Sequence, residues 1–113
     1  MELTGSYQTV YSDRFRKGGF LLNVVLPNGE EASAREPVLF SALLTVRKEL
    51  EGLGIFVAVW GAKRSVWPSG MQADMGGGLE ALDRDSGEVG DIFQSIDPAD
   101  AATVEEQKFH VHG

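Results

Sequence analysis

The only histidines of the chain, His110 and His112, stand one residue apart near its C-terminus. On a strand that spacing would put both imidazoles on one face, which is half of a metal site. There is no cysteine and no third histidine to complete it, so a frayed terminal segment is the simpler reading. Asp83-Arg-Asp85-Ser-Gly87 has the opening of a calcium loop. Such a loop wants glycine at its sixth position and a bidentate glutamate at its twelfth. Here glycine falls at the fifth and Gln94 at the twelfth, so the run reads as an acidic turn. Ser69 sits in Pro-Ser-Gly, not in the G-x-S-x-G elbow that exposes a hydrolase nucleophile. Met75-Gly-Gly-Gly78 is flexible enough for its amides to cradle a phosphate, but it fits neither the P-loop nor the dinucleotide spacing. Many carboxylates are available for acid–base work, yet no spacing singles out a pair. The sequence therefore predicts no catalytic residue, no cofactor and no metal ligand.

What the residues do offer is charge in one place. The net charge of the 113 residues is −7. Residues 1–60 carry 7 acids against 6 bases, whereas the stretch from Asp74 to Glu106 carries ten acids and a single base, Arg84. A polyanion would be repelled by such a surface, so nucleic acid is not an expected partner. The basic clusters Arg14/Arg16/Lys17 and Lys63/Arg64 lack the interleaved aromatics of a single-strand binder. Next to the acidic stretch lie Trp67 and Met71, residue types favoured where proteins dock.

The elements that position these residues follow from pattern. Tyr7–Tyr11 and the apolar run Phe20–Leu26 read as a β-hairpin, with Ser12–Gly19 as its loop and Pro27-Asn-Gly29 as the stop. Pro37 suits the first position of a helix, and Leu39, Leu43, Val46, Leu50 and Leu53 then form one stripe at helical spacing. Arg47, Lys48, Glu49 and Glu51 fall mostly off it. Ile55–Trp60 is apolar without alternation, as a central strand would be, and Trp60 is expected in the core. Gly61 to Gly78 reads as a long loop without a regular element throughout, of a kind that is often functional. Short strands are expected at Leu79–Asp83 and around Asp91–Phe93, and a helix capped by Asp97 from Pro98 to Lys108. The order β-β-α-β-β-β-α predicts one α+β domain over residues 1–113. In it a single, mostly antiparallel sheet packs against one main helix and a short C-terminal helix. If Phe20–Leu26 and Ile55–Trp60 were neighbours, the sheet would be mixed through a βαβ crossover.

The composition, 42% hydrophobic and 24% charged, is that of a globular chain with a core. Met1-Glu-Leu-Thr-Gly-Ser-Tyr lacks the regions of a signal peptide, and the longest apolar runs are far short of the about 20 residues that span a bilayer. A cytoplasmic protein with no membrane partner is expected.

Gly61-Ala-Lys-Arg-Ser-Val-Trp-Pro-Ser-Gly-Met71, Asp74-Met-Gly-Gly-Gly78, Asp91-Ile-Phe93 and Val104-Glu-Glu-Gln-Lys-Phe109 together resemble small uncharacterised bacterial proteins. The likeness covers about half of the chain, from Leu39 onward. In size and charge such proteins are similar to the immunity proteins encoded beside polymorphic toxins, and the resemblance implies no catalytic residues. The expectation is a non-enzymatic, immunity- or antitoxin-like domain that meets a basic protein partner. Its partner-binding residues would be Trp67, Met71, Asp74, Glu80, Asp83, Asp85 and Glu88. Two alternatives stand beside it. One is a small-ligand or enzyme domain with Gly70–Gly78 as a lid; the other is a homodimer joined through an exposed sheet edge.

Overall fold

The chain builds two antiparallel sheets and three helices, an α+β fold, in a computed structural model that describes residues 4–11, 18–26 and 28–112. Strand β1 (Thr4–Tyr11) pairs with β2 (Gly18–Val25), and β2 with β3 (Glu31–Glu36), in unbroken antiparallel registers. The expected hairpin is therefore present, with Gly18 and Gly19 in the strand and not in the loop. Pro27, part of the expected strand stop, and the basic cluster Arg14/Arg16/Lys17 lie outside the described residues. Asn28 and Gly29 turn the chain into β3, with Gly29 at φ +90°.

Strand β3 has no counterpart in the sequence reading. Its alternation is clear in burial, but the inward residues are only Ala32 and Ala34, too small to give an apolar signal. Small residues are what helix α1 (Leu39–Gly52) needs in order to lie close on β2 and β3. Leu39, Leu43, Val46 and Leu50 of the expected stripe are buried there, beside Phe40 and Ala42. Two positions differ from expectation. Leu53, beyond the helix end, is 64% exposed, and Arg47, expected off the stripe, is buried.

The run Ile55–Trp60 does not form a strand, and among the described residues there is no βαβ crossover. It extends along residues 92–96 as an irregular ribbon, tied by Ile96 N–H to Ala58 O, Trp60 N–H to Gln94 O and Gly61 N–H to Ile92 O. Only Val59 and Ser95 make a bridge, because the chain at once tightens into a 3₁₀ turn at Trp60–Ala62. Trp60 is buried, as expected, and its indole N–H donates to Ala81 O at 2.9 Å.

The expected loop from Gly61 to Gly78 is largely regular. It contains β4 (Val66–Trp67) and α2 (Gly70–Gly76). Strand β4 pairs with β5 (Glu80–Asp83) and β5 with β6 (Val89–Asp91), so the expected single sheet is instead two. One hydrophobic cluster nevertheless joins both, running from Leu22 and Leu39 to Val66, Ala81 and Ile92. The C-terminal helix also differs. Asp97 caps only a 3₁₀ turn at Pro98–Asp100, and α3 (Val104–His112) starts after it on a capping box between Thr103 and Glu106.

A buried polar network fixes α3. Gln107 Oε1 accepts from Arg47 Nη1 at 2.5 Å, and its Nε2 donates to the carbonyls of Gly61, Lys63 and Val66 at 2.9, 3.2 and 2.7 Å. Arg47 also reaches Gly61 O and Ala102 O and stands 3.6 Å from Glu51. Burial lowers the Arg47 pKa to about 10, against the opposing pull of Glu51. Glu51 in turn accepts from the amide of Val104, the first residue of α3.

Among the described residues no helix is long and apolar enough to cross a membrane.

Candidate docking surface on helix α2 and strands β5–β6

Helix α2 is short but well defined at both ends. The Ser69 hydroxyl accepts from Gln72 N–H at 3.1 Å, and the Gln72 side chain accepts from Ser69 N–H at 2.9 Å. That reciprocal pair is a capping box, the S-x-x-Q signal that sits unnoticed inside a glycine-rich run. At the other end Gly77 and Gly78 adopt φ of +65° and +78°, a conformation that side chains resist. Both also touch neighbours too closely for a Cβ. One at Gly77 would fall on the Phe20 ring, and one at Gly78 would lie 2.8 Å from Phe40 Cβ. Gly77 O accepts from Phe40 N–H, so this end of the helix is pinned to β2 and α1.

The body of α2 buries none of its residues. Met71 and Met75, one turn apart, are 71% and 83% exposed. Side chains at i and i+4 share a face, so the two thioethers make one apolar patch. Asp74 lies on the same helix and is exposed. The chain then leads directly into β5, where Glu80 stands opposite Asp91 of β6. Both residues are exposed. Like charges directly across a ladder destabilise it, and among the described residues neither has an ion-pair partner. Val89, two residues before Asp91 on β6, is 53% exposed.

The other acids predicted for this surface are employed differently. Asp83 is 1% exposed, and Lys63 Nζ lies 2.8 Å from its carboxylate. The amides of Asp85 and Ser86 donate to the same carboxylate at 2.9 and 3.3 Å. Burial pushes the Asp83 pKa up, but Lys63, Ser65 and these amides together outweigh it and hold it well below the usual carboxylate range. Asp83 is thus a turn anchor with its charge already met. Lys63 is raised by the same contact, and its ammonium lies 5.1 Å from the centre of the Trp60 ring. Asp85 meets His110 at 3.0 Å. Glu88 is exposed in the turn.

Trp67 is half-buried. Its ring packs edge-on against Phe40 at 4.9 Å and against His112 at 4.6 Å, so it braces α1, β4 and α3 together. The two histidines lie on a helix and not a strand, where an i, i+2 spacing sends them apart, one to Asp85 and one to Trp67. Among the described residues no group of three or more His, Asp or Glu side chains is placed to hold a metal ion.

Of the seven residues predicted for the partner surface, Met71 and Asp74 are exposed on α2, and Glu80 is exposed at the start of β5, the strand that follows that helix. Asp85 and Glu88 lie at the far turn, and Trp67 and Asp83 point inward. Met75 on α2 and Asp91 opposite Glu80, both absent from the prediction, are exposed as well. Met75 was legible from its spacing to Met71. Asp91 was not, because its place opposite Glu80 depends on the register of β5 and β6.

A polar cleft of about 230 Å³ lies elsewhere, with Lys63, Arg64, Ser65, Asp100, Glu106 and His110 among its lining residues. A broader groove along α3 shares Arg64, Glu106 and His110 with it. Neither is lined by any residue from 70 to 78, a segment that begins with the capped helix α2 and ends at Gly77 and Gly78.

No protein-family model matches the chain, and no curated protein matches it in sequence.

Proposed function

We propose that the chain is a non-enzymatic protein-binding domain that docks a basic partner on α2 and the adjoining edge of β5–β6. The observation that carries this reading is helix α2. It is capped at both ends and pinned to the core through Gly77, yet it buries no residue and holds Met71 and Met75 outward. A helix with no role in the core is free to serve another surface. Methionine suits that use, because its unbranched, polarisable side chain adapts to varied apolar contacts.

Burying both thioethers would contribute about 3–5 kcal/mol, too little for tight binding alone. Asp74, Glu80 and Asp91 supply the complement. A lysine or arginine between Glu80 and Asp91 would relieve their repulsion, and the field of the acidic half would speed encounter. An immunity-type protein that neutralises a basic toxin is the specific form of this proposal, in keeping with the net charge of −7.

Photo-crosslinking in the native host tests it. A benzophenone amino acid at Met71 or Met75 should give a discrete adduct with a basic protein. The same probe at Glu49, exposed on α1, should give none. Identical adducts from all three positions, or none from α2, would remove the support for this surface.

A further inference from the structure

Among the described strands, β1 is the one long sheet edge with neither a charge nor a proline of its own to guard against pairing. The second sheet ends in strands of two and three residues, β4 and β6, too short to template much. The outer edge of the first sheet at β3 carries Glu31, Arg35 and Glu36. Charges on an edge are a standard guard against association. Strand β1 has eight residues, Thr-Gly-Ser-Tyr-Gln-Thr-Val-Tyr, with no charge and no proline. Its register with β2 runs from Thr4↔Val25 to Tyr11↔Gly18 without a bulge. Among the described strands it pairs with β2 alone.

Hydrogen-bond alternation fixes which backbone groups face outward. Leu26 N–H donates to Glu30 O. The register that continues from this pair makes the even residues of β2 bond to β3. The odd residues, 19 to 25, then bond to β1, where their partners are Val10, Gln8, Ser6 and Thr4. The N–H and C=O groups of Gly5, Tyr7, Thr9 and Tyr11 therefore point away from the sheet.

We infer that this edge pairs with the same edge of a second copy of the chain, antiparallel about a two-fold axis beside Gln8. Two-fold pairing needs hydrogen-bonded partners drawn from the outward set on both strands. The register Gly5↔Tyr11 and Tyr7↔Thr9, repeated by symmetry, uses all four outward residues of each copy; a shift of two residues either way uses only three. The product is a six-stranded sheet in the order β3-β2-β1-β1-β2-β3. Self-repulsion does not oppose it. Although the chain carries −7 overall, β1 itself is uncharged, and the excess acids lie between Asp74 and Glu106. The inference is independent of the α2 surface, since it rests on the backbone of β1 and on no residue of α2 or the second sheet.

Sedimentation equilibrium of the full chain from about 5 µM to about 1 mM spans the range in which a small interface dissociates. A monomer–dimer equilibrium is expected, and Thr9→Pro should shift it at least about tenfold toward monomer, since it removes an outward donor while sparing the bonds to β2. Amide exchange of the unaltered chain provides a second reading. Tyr7, Thr9 and Tyr11 should gain protection as concentration rises, while Ser6, Gln8 and Val10 stay protected throughout. A chain that is monomeric up to about 1 mM would overturn the inference. So would a dimer in which the odd-numbered amides of β1 exchange as fast as in the monomer.

Discussion

Replacing Gln107 with leucine removes the side chain that ties α3 to the rest of the fold while nearly conserving volume. Gly61 O keeps Arg47 as a donor, and Lys63 O keeps the amide of Val66. Val66 O loses Gln107, and its pairing register with Asp83 offers no substitute, because the Asp83 amide is directed to Glu88 O. One buried carbonyl left without a donor costs about 1–3 kcal/mol. Loss of the Arg47–Gln107 bond, in which the donor is charged, costs a further roughly 1.5–3 kcal/mol. Burial of leucine returns on the order of 1 kcal/mol. The net loss expected is about 3 kcal/mol, a large share of the roughly 5–15 kcal/mol of a typical domain. Urea unfolding followed by tryptophan fluorescence should show a midpoint lowered by about 2 M for a slope of about 1.5 kcal/mol/M. A midpoint within about 0.3 M of the parent would refute the idea that this network holds α3 in place.

Three further outcomes follow from the geometry. The folded-state pKa of Asp83 is depressed, so its contribution to stability is present above the unfolded value of about 4 and is lost as pH falls below it. Thermal melts between pH 7 and pH 2 should show Asp83→Asn less stable at pH 7 by about 1–3 kcal/mol and less sensitive to acid than the parent. Gly77→Ala should cost about 1–2 kcal/mol from the left-handed backbone alone, and more from the Phe20 ring; Gly76→Ala, with open space around it, should be neutral or slightly stabilising. Ser69→Ala should cost about 1 kcal/mol and raise amide exchange in α2 before any other element.

Much of the scaffold was legible because large apolar side chains announced it. The leucines of α1 and the run in β2 are of this kind. Where small residues or hydrogen bonds do the work, the sequence was opaque. Ala32 and Ala34 give β3 no hydrophobic signature, though their size is what lets α1 approach. The glycines around α2 hid a helix whose capping box, Ser69 and Gln72, was written plainly at its start. Ile55–Trp60 had the composition of a central strand, but the bonds of its ribbon to residues 92–96 are tertiary facts that no local window contains. The excess of acids between Asp74 and Glu106 is a matter of counting. Its division into a buried anchor at Asp83, a histidine partner at Asp85 and an exposed pair at Glu80 and Asp91 depends on register and burial.

The most direct test of the docking surface is the binding kinetics of the protein cross-linked from α2, measured with two double variants at low and moderate salt. Glu80→Lys/Asp91→Lys should slow association by about tenfold or more at low salt and reduce its salt dependence. Met71→Ser/Met75→Ser should leave association nearly unchanged and speed dissociation instead, since lost apolar contact appears in the off-rate. If both variants bind as the parent does, α2 and the β5–β6 edge are not where this protein meets its partner.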